Sequence, residues 1–84
     1  MTSYLVETYV PRIQADGARE AGRRARSAAR ELAREGAVLR YVRTTFLPAD
    51  ETCFHVFVAD SEEAVAEACR RAGLGSPRIV PAVE

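Results

Sequence analysis

The chain has 84 residues, 48% of them hydrophobic and 29% charged, a composition that excludes disorder and describes one soluble globular domain over residues 1–84. Its formal net charge is zero, so no overall field draws it to nucleic acid or to an anionic membrane, and neither is expected as a partner. No apolar run approaches the roughly 20 residues of a bilayer span. The opening Met1-Thr2-Ser3-Tyr4-Leu5-Val6-Glu7 lacks the basic-then-apolar order of a signal peptide, so a cytoplasmic location is expected.

Tyr4 to Val10 alternates as a first strand, with Tyr4, Val6, Thr8 and Val10 on one face and Leu5, Glu7 and Tyr9 on the other; Pro11 stops it. The first face is expected to meet the core, which leaves the Glu7 carboxylate on the opposite side. From about Ala15 to Glu35, Ala18, Ala21, Ala25, Ala28, Ala29 and Leu32 recur at helical spacing, with Asp16 as the expected N-cap and Gly36 as the stop. Small side chains let such a helix lie close to a sheet, and the interior Gly22 weakens it by about 1 kcal/mol relative to alanine. The rest of the helix carries six arginines between Arg19 and Arg34, offset in part by Asp16, Glu20, Glu31 and Glu35. With Glu20–Arg24 and Glu31–Arg34 at pairing distance, this reads as a solvated face rather than an anion-binding surface.

Ala37 to Leu47 is rich in strand formers, and Pro48-Ala49-Asp50-Glu51 reads as the turn of a hairpin into Thr52–Ala59. A three-residue loop places Arg43 opposite His55, Tyr41 opposite Phe57 and Thr45 opposite Cys53, whereas a bulge flips the faces. Thr52–Ala59 alternates strictly. Phe54, Val56 and Val58 are expected in the core, with Cys53, the single histidine His55 and Phe57 on the other face.

Ser61-Glu62-Glu63 opens a second helix, with Val65, Ala68, Cys69 and Ala72 on its apolar stripe, Arg70 and Arg71 in the last turn and Gly73 as the stop. Cys69 reads as a small core residue. With neither zinc-knuckle spacing nor the density of a disulfide scaffold, Cys53 and Cys69 are expected to be free thiols. After a turn at Gly75-Ser76-Pro77, Arg78–Val83 reads as a last strand, confined to an edge by Pro81.

The order strand, helix, strand, strand, helix, strand is the ferredoxin-like α+β pattern. It implies a four-stranded antiparallel sheet in the order 4-1-3-2, with both helices on one face and the central first and third strands expected to run parallel. Leu5, Tyr9, Leu39, Tyr41 and Phe57 are assigned to the uncovered face, too apolar a set to remain in water. Two copies packed sheet to sheet, as in a dimeric α/β barrel, would cover it and enclose Glu7, Arg43, Cys53 and His55.

Tyr4-Leu5-Val6-Glu7, Tyr41-Val42-Arg43-Thr44, Phe54-His55-Val56-Phe57-Val58-Ala59, Glu63-Ala64-Val65 and Ala72-Gly73-Leu74 resemble the corresponding segments of a family of small actinobacterial ferredoxin-like proteins, DUF4242. The resemblance spans nearly the whole chain and implies a homodimer with a site on the sheet face; some members are described as nickel-binding. Members often have cysteine at the position of His55, and some have histidine at that of Arg43. Imidazole for thiolate still suits nickel or another divalent transition metal, but guanidinium for imidazole removes a ligand and adds a cation.

Glu7, Cys53 and His55 are therefore the candidate metal ligands, with Tyr9, Tyr41, Arg43 and Phe57 lining a pocket for a small organic anion. The structural alternative hydrogen-bonds His55 to Glu7 or a tyrosine. The favoured function is a non-enzymatic dimer that binds nickel, another such metal, or a small ligand. The alternative is a dimeric α/β barrel enzyme of the small monooxygenase or isomerase type, with His55 as acid or base and Arg43 as anion anchor. No nucleophile elbow, phosphate loop or HExxH motif is present, and the third strand lacks the arginine, lysine and glycine of an RNA-recognition strand.

Overall fold

The computed structural model describes residues 1–83, in the order β1 (Thr2–Tyr9), α1 (Ala15–Arg34), β2 (Leu39–Leu47), a 3-10 turn (Pro48–Asp50), β3 (Thr52–Ala59), α2 (Glu62–Ala72) and β4 (Arg78–Ala82). α2 is bounded as its sequence dictates: Ser61 Oγ accepts the Ala64 amide, and Gly73, at φ +69°, leads into a Leu74 N–H bonded to the Cys69 carbonyl. α1 starts differently. It follows Gln14 with no side-chain cap, and Asp16, expected as the N-cap, lies in the first turn, where its charge suits the helix dipole and pairs with Arg19 at 2.8 Å. Among the described residues, no helix is long and apolar enough to cross a membrane.

The strands form one sheet in the order β2-β3-β1-β4, with both helices on one face, a ferredoxin-like arrangement. β1 is antiparallel to both β3 and β4, which corrects the expected parallel central pair. Each helix returns the chain to start a strand in the direction of the one before it, so the hairpin makes β3 run against β1.

The hairpin pairs Leu47 with Thr52, one residue beyond the expected register, because four residues, Pro48–Glu51, form the loop and Glu51 takes a left-handed conformation (φ 51°). Arg43 therefore lies opposite Val56, Thr44 opposite His55, Thr45 opposite Phe54 and Phe46 opposite Cys53. A bulge between Tyr41 and Arg43 absorbs the extra residue and restores the expected pairing of Tyr41 with Phe57.

α1 presents three stripes. Ala18, Ala21, Gly22, Ala25, Ala28, Ala29 and Leu32 are buried on the sheet and α2. On the α2 side the charges neutralise one another: Glu20 pairs with Arg24, while Arg71 of α2 bonds Glu31 and Glu35 of α1 and Glu67 of its own helix. Glu31 thus crosses to α2 rather than pairing with Arg34. On the β2 side lie Arg19, Arg23, Arg26 and Arg30. The main core joins α1 to Tyr4, Val6, Leu39, Phe57 and Ala59 of the sheet and to Val65, Ala68, Cys69 and Ala72 of α2.

Candidate functional site

β3 passes beneath the helices with Cys53, His55, Phe57 and Ala59 wholly buried. This inverts the expected facing of the strand. Opposite them on β1 stand Thr8, Val6 and Tyr4 for Cys53, His55 and Phe57, so all six share the helix-covered face. Phe54, Val56 and Val58 face the other way, with Leu5, Glu7 and Tyr9 of β1 and Arg43 and Thr45 of β2. Both faces of β3 are apolar enough to enter a core, so alternation gives the period without the side. Leu39, Tyr41 and Phe57, expected on the open face, are likewise turned to the helices, while Arg40 pairs with Val58 and is exposed at the β2 edge.

His55 is accommodated by a line of polar side chains. The Tyr41 and Thr44 hydroxyls share a hydrogen bond of 2.5 Å, Thr44 Oγ1 and His55 Nδ1 one of 2.7 Å, and His55 Nε2 lies 3.7 Å from Cys53 Sγ. The chain starts at half-buried Tyr41 and ends at the buried thiol. Among the described residues, every buried side-chain nitrogen and oxygen has a partner. His55 thus bonds to Thr44 and through it to Tyr41, with Glu7 across the sheet. Thr44 had no distinguishing mark in the sequence; only the shifted register brings it to His55.

The electrostatics keep this chain neutral. Burial, assisted by the Arg24 guanidinium, lowers the His55 pKa to about 4, and burial raises that of the Cys53 thiol, against a smaller opposing effect of the Thr8 hydroxyl. An activated cysteine needs the reverse, a thiolate stabilised by imidazolium. Cys53 and His55 therefore form a neutral pair at pH 7. Cys69 is also a free, buried thiol, pushed up to about 11 by burial.

The expected metal ligands do not come together. Glu7 is across the sheet from Cys53 and His55, and its carboxylate lies 3.6 Å from Arg78. The two remaining donors are neutral and wholly enclosed, and among the described residues no three His, Cys, Asp or Glu side chains converge. The donor set as folded does not fit nickel. Nor are His55 and Arg43 assembled as acid/base and anchor, since they point to opposite faces. Of the expected pocket residues, Tyr9 is exposed at the end of β1, Arg43 is exposed at the rim of the open face, and Tyr41 and Phe57 meet edge to face at 5.8 Å under the helices.

A second feature lies where α1 borders β2. The Arg26 guanidinium sits over the Tyr41 ring, 5.4 Å from its centroid. On one side opens a groove of about 550 Å³ lined by Arg26, Ala29, Arg30, Ala33, Leu39, Arg40 and Tyr41; on the other, one of about 370 Å³ includes Arg43, Thr44 and Gly22. Among the described residues, the side chains of Arg12, Arg26, Arg30, Arg34, Arg40 and Arg43 have no carboxylate partner, whereas Arg19, Arg23, Arg24, Arg70, Arg71 and Arg78 each have at least one; of the first six, Arg26, Arg30 and Arg40 line the larger groove. The sequence carries a signal for two of them: no acid stands three or four residues from Arg26 or Arg30. Comparison of the chain with protein-family models, curated proteins and solved structures gives no match in any of the three.

Proposed function

We propose that this chain is a non-enzymatic small-ligand-binding domain that works as a homodimer, two copies closing their open sheet faces over a shared space. The observation that carries this reading is the composition of that face. Leu5, Phe54, Val56 and Val58 lie on its two central strands with Val80 beside Leu5 on the β4 edge, and Leu5, Phe54, Val58 and Val80 keep part of their surface exposed. Arg43 borders them on β2, Glu7 and Arg78 on β1 and β4. An apolar centre with a charged rim is the anatomy of a protein interface, and a two-fold pairing covers the same patch on both copies. The enclosed space suits an apolar small molecule, with Arg43 and Glu7 at its margin for polar contacts. The neutrality of the buried Cys53–His55 pair supports binding over catalysis.

Sedimentation velocity at tens of micromolar protein tests the reading, with a dimer expected. Phe54→Glu would bury a charge at the centre of the interface, at a cost of about 3 kcal/mol or more, over a hundredfold in dissociation constant. It should yield a monomer with an unchanged circular dichroism spectrum. A monomeric parent chain under the same conditions would overturn the proposal.

A further inference from the structure

We infer that the groove between α1 and the β2 edge is a binding site for a small organic anion with a flat apolar body, a carboxylate or phosphate ester of that kind. This site lies outside the space between paired sheets and does not depend on dimerisation.

The first argument is charge. The protein is neutral overall, yet its cations are not evenly compensated. The α2 side of α1 is neutralised by Glu20, Glu31 and Glu35, while Arg26 and Arg30 of α1 and Arg40 of the β2 edge line one groove with no carboxylate partner among the described residues. Unpaired arginines that border one groove leave positive charge there without a counter-charge, and the planar fork of a guanidinium matches a carboxylate or phosphate oxygen pair. An oxyanion bound in the groove supplies the missing counter-charge.

The second argument is shape. Ala29, Ala33 and Leu39 give the groove an apolar lining, Tyr41 adds an aromatic side chain, and the volume of about 550 Å³ is that of a small-molecule site. Tyr41 is fixed from behind by Thr44 and His55 and covered by Arg26. A ligand therefore meets an Arg26–Tyr41 pair already in place rather than mobile side chains. The apolar lining selects for an organic body, and the arginines select for its charge.

Titration of the ¹⁵N-labelled chain with phenyl phosphate, phenylacetate and benzyl alcohol, followed by amide chemical shifts, tests the inference. At least one of the two anions should saturate, moving the amides of Arg26, Arg30, Arg40 and Tyr41, and which one does so identifies the head group; benzyl alcohol should not saturate. Arg26→Gln combined with Arg30→Gln alters two exposed side chains and should weaken binding at least tenfold with the fold intact. Phe54→Glu should leave anion binding unchanged, so loss of the dimer and loss of this site are read separately. Saturation by neither anion, equal binding of the alcohol, shifts centred on Leu5, Phe54 and Val58, or indifference to the arginine substitutions would overturn it. So would displacement of the anions by single-stranded RNA with a steep salt dependence, which would assign the groove to nucleic acid.

Discussion

At the level of single residues, His55 combines a functional-looking side chain with an environment that suppresses its usual chemistry. Its pKa of about 4 in the fold compares with 6.5 when free. Between these values the unfolded chain binds the proton and the folded chain does not, so stability is full above about pH 6.5 and falls as the pH drops towards 4. The limiting slope is about 1.4 kcal/mol per pH unit. Glu20, Glu35 and Glu67, held below the usual carboxylate range by hydrogen bonds from Arg23, Arg71 and Arg71 respectively, lose their contribution only below about pH 4.5. The interval from 6.5 to 4.5 therefore isolates the imidazole. Thermal melts of the parent chain should shift down by several degrees between pH 7 and pH 5, whereas His55→Asn, which keeps a hydrogen-bonding side chain beside Thr44 but cannot titrate there, should be flat over that interval. Parallel slopes for the two would refute the assignment. A histidine in a strand of alternating residues is legible as belonging to one of two faces, and nothing in its neighbours says which. Its partner Thr44 was hidden for a different reason, since a one-residue change in loop length decides whether Arg43 or Thr44 stands opposite it.

The helices were readable almost to the residue, because alanine periodicity, Ser61, Gly36 and Gly73 are local signals that need no tertiary knowledge. The sheet order was readable too, as it follows from element order. What could not be read was the junction of α1 with β2, where Gly22 acquires a role invisible in the sequence. A Cβ built on Gly22 would lie 2.8 Å from Thr44 Oγ1, 3.2 Å from Thr44 Cβ and 3.3 Å from the Tyr41 hydroxyl oxygen. The helix interior has no need of a glycine, and alanine there should gain about 1 kcal/mol in propensity. Thr44, however, is β-branched and tied on both sides by hydrogen bonds, so it has little room to give way. Overpacking of this kind costs about 1–3 kcal/mol. Gly22→Ala is therefore expected to destabilise by about 1 kcal/mol net, a fall in Tm of about 4–8 °C for a domain of this size, and to perturb the Tyr41 and His55 ring resonances. A raised Tm with unchanged spectra would mean that α1 does not approach β2 this closely. The bulge between Tyr41 and Arg43 belongs to the same junction. It lets Tyr41 face the helices while Arg43, only two residues on, faces away.

Considered as a whole, the molecule divides its apolar side chains unevenly between its two sheet faces. The helices contribute mainly alanines to the covered side, with Leu32, Val65 and Cys69 among their few larger buried residues. Alanine permits close approach of helix and sheet but offers little area to bury, and a chain of 84 residues is already at the size where burial is a limited fraction of the surface. The open face meanwhile holds Leu5, Phe54, Val58 and Val80 in contact with water. At about 25 cal/mol per Å² of apolar surface removed from water, the proposed second copy laid on that face would add the burial that the thin helical layer does not. Association and folding should then be coupled by mass action, since only the folded chain presents the face. The midpoint of thermal unfolding of the parent chain is expected to rise by several degrees between about 1 and 100 µM protein, while Phe54→Glu should melt at a lower temperature that does not change with concentration. Identical, concentration-independent melting of both would mean that each subunit is stable without its partner, and the apolar face would then have to be explained by something other than a second copy of the chain.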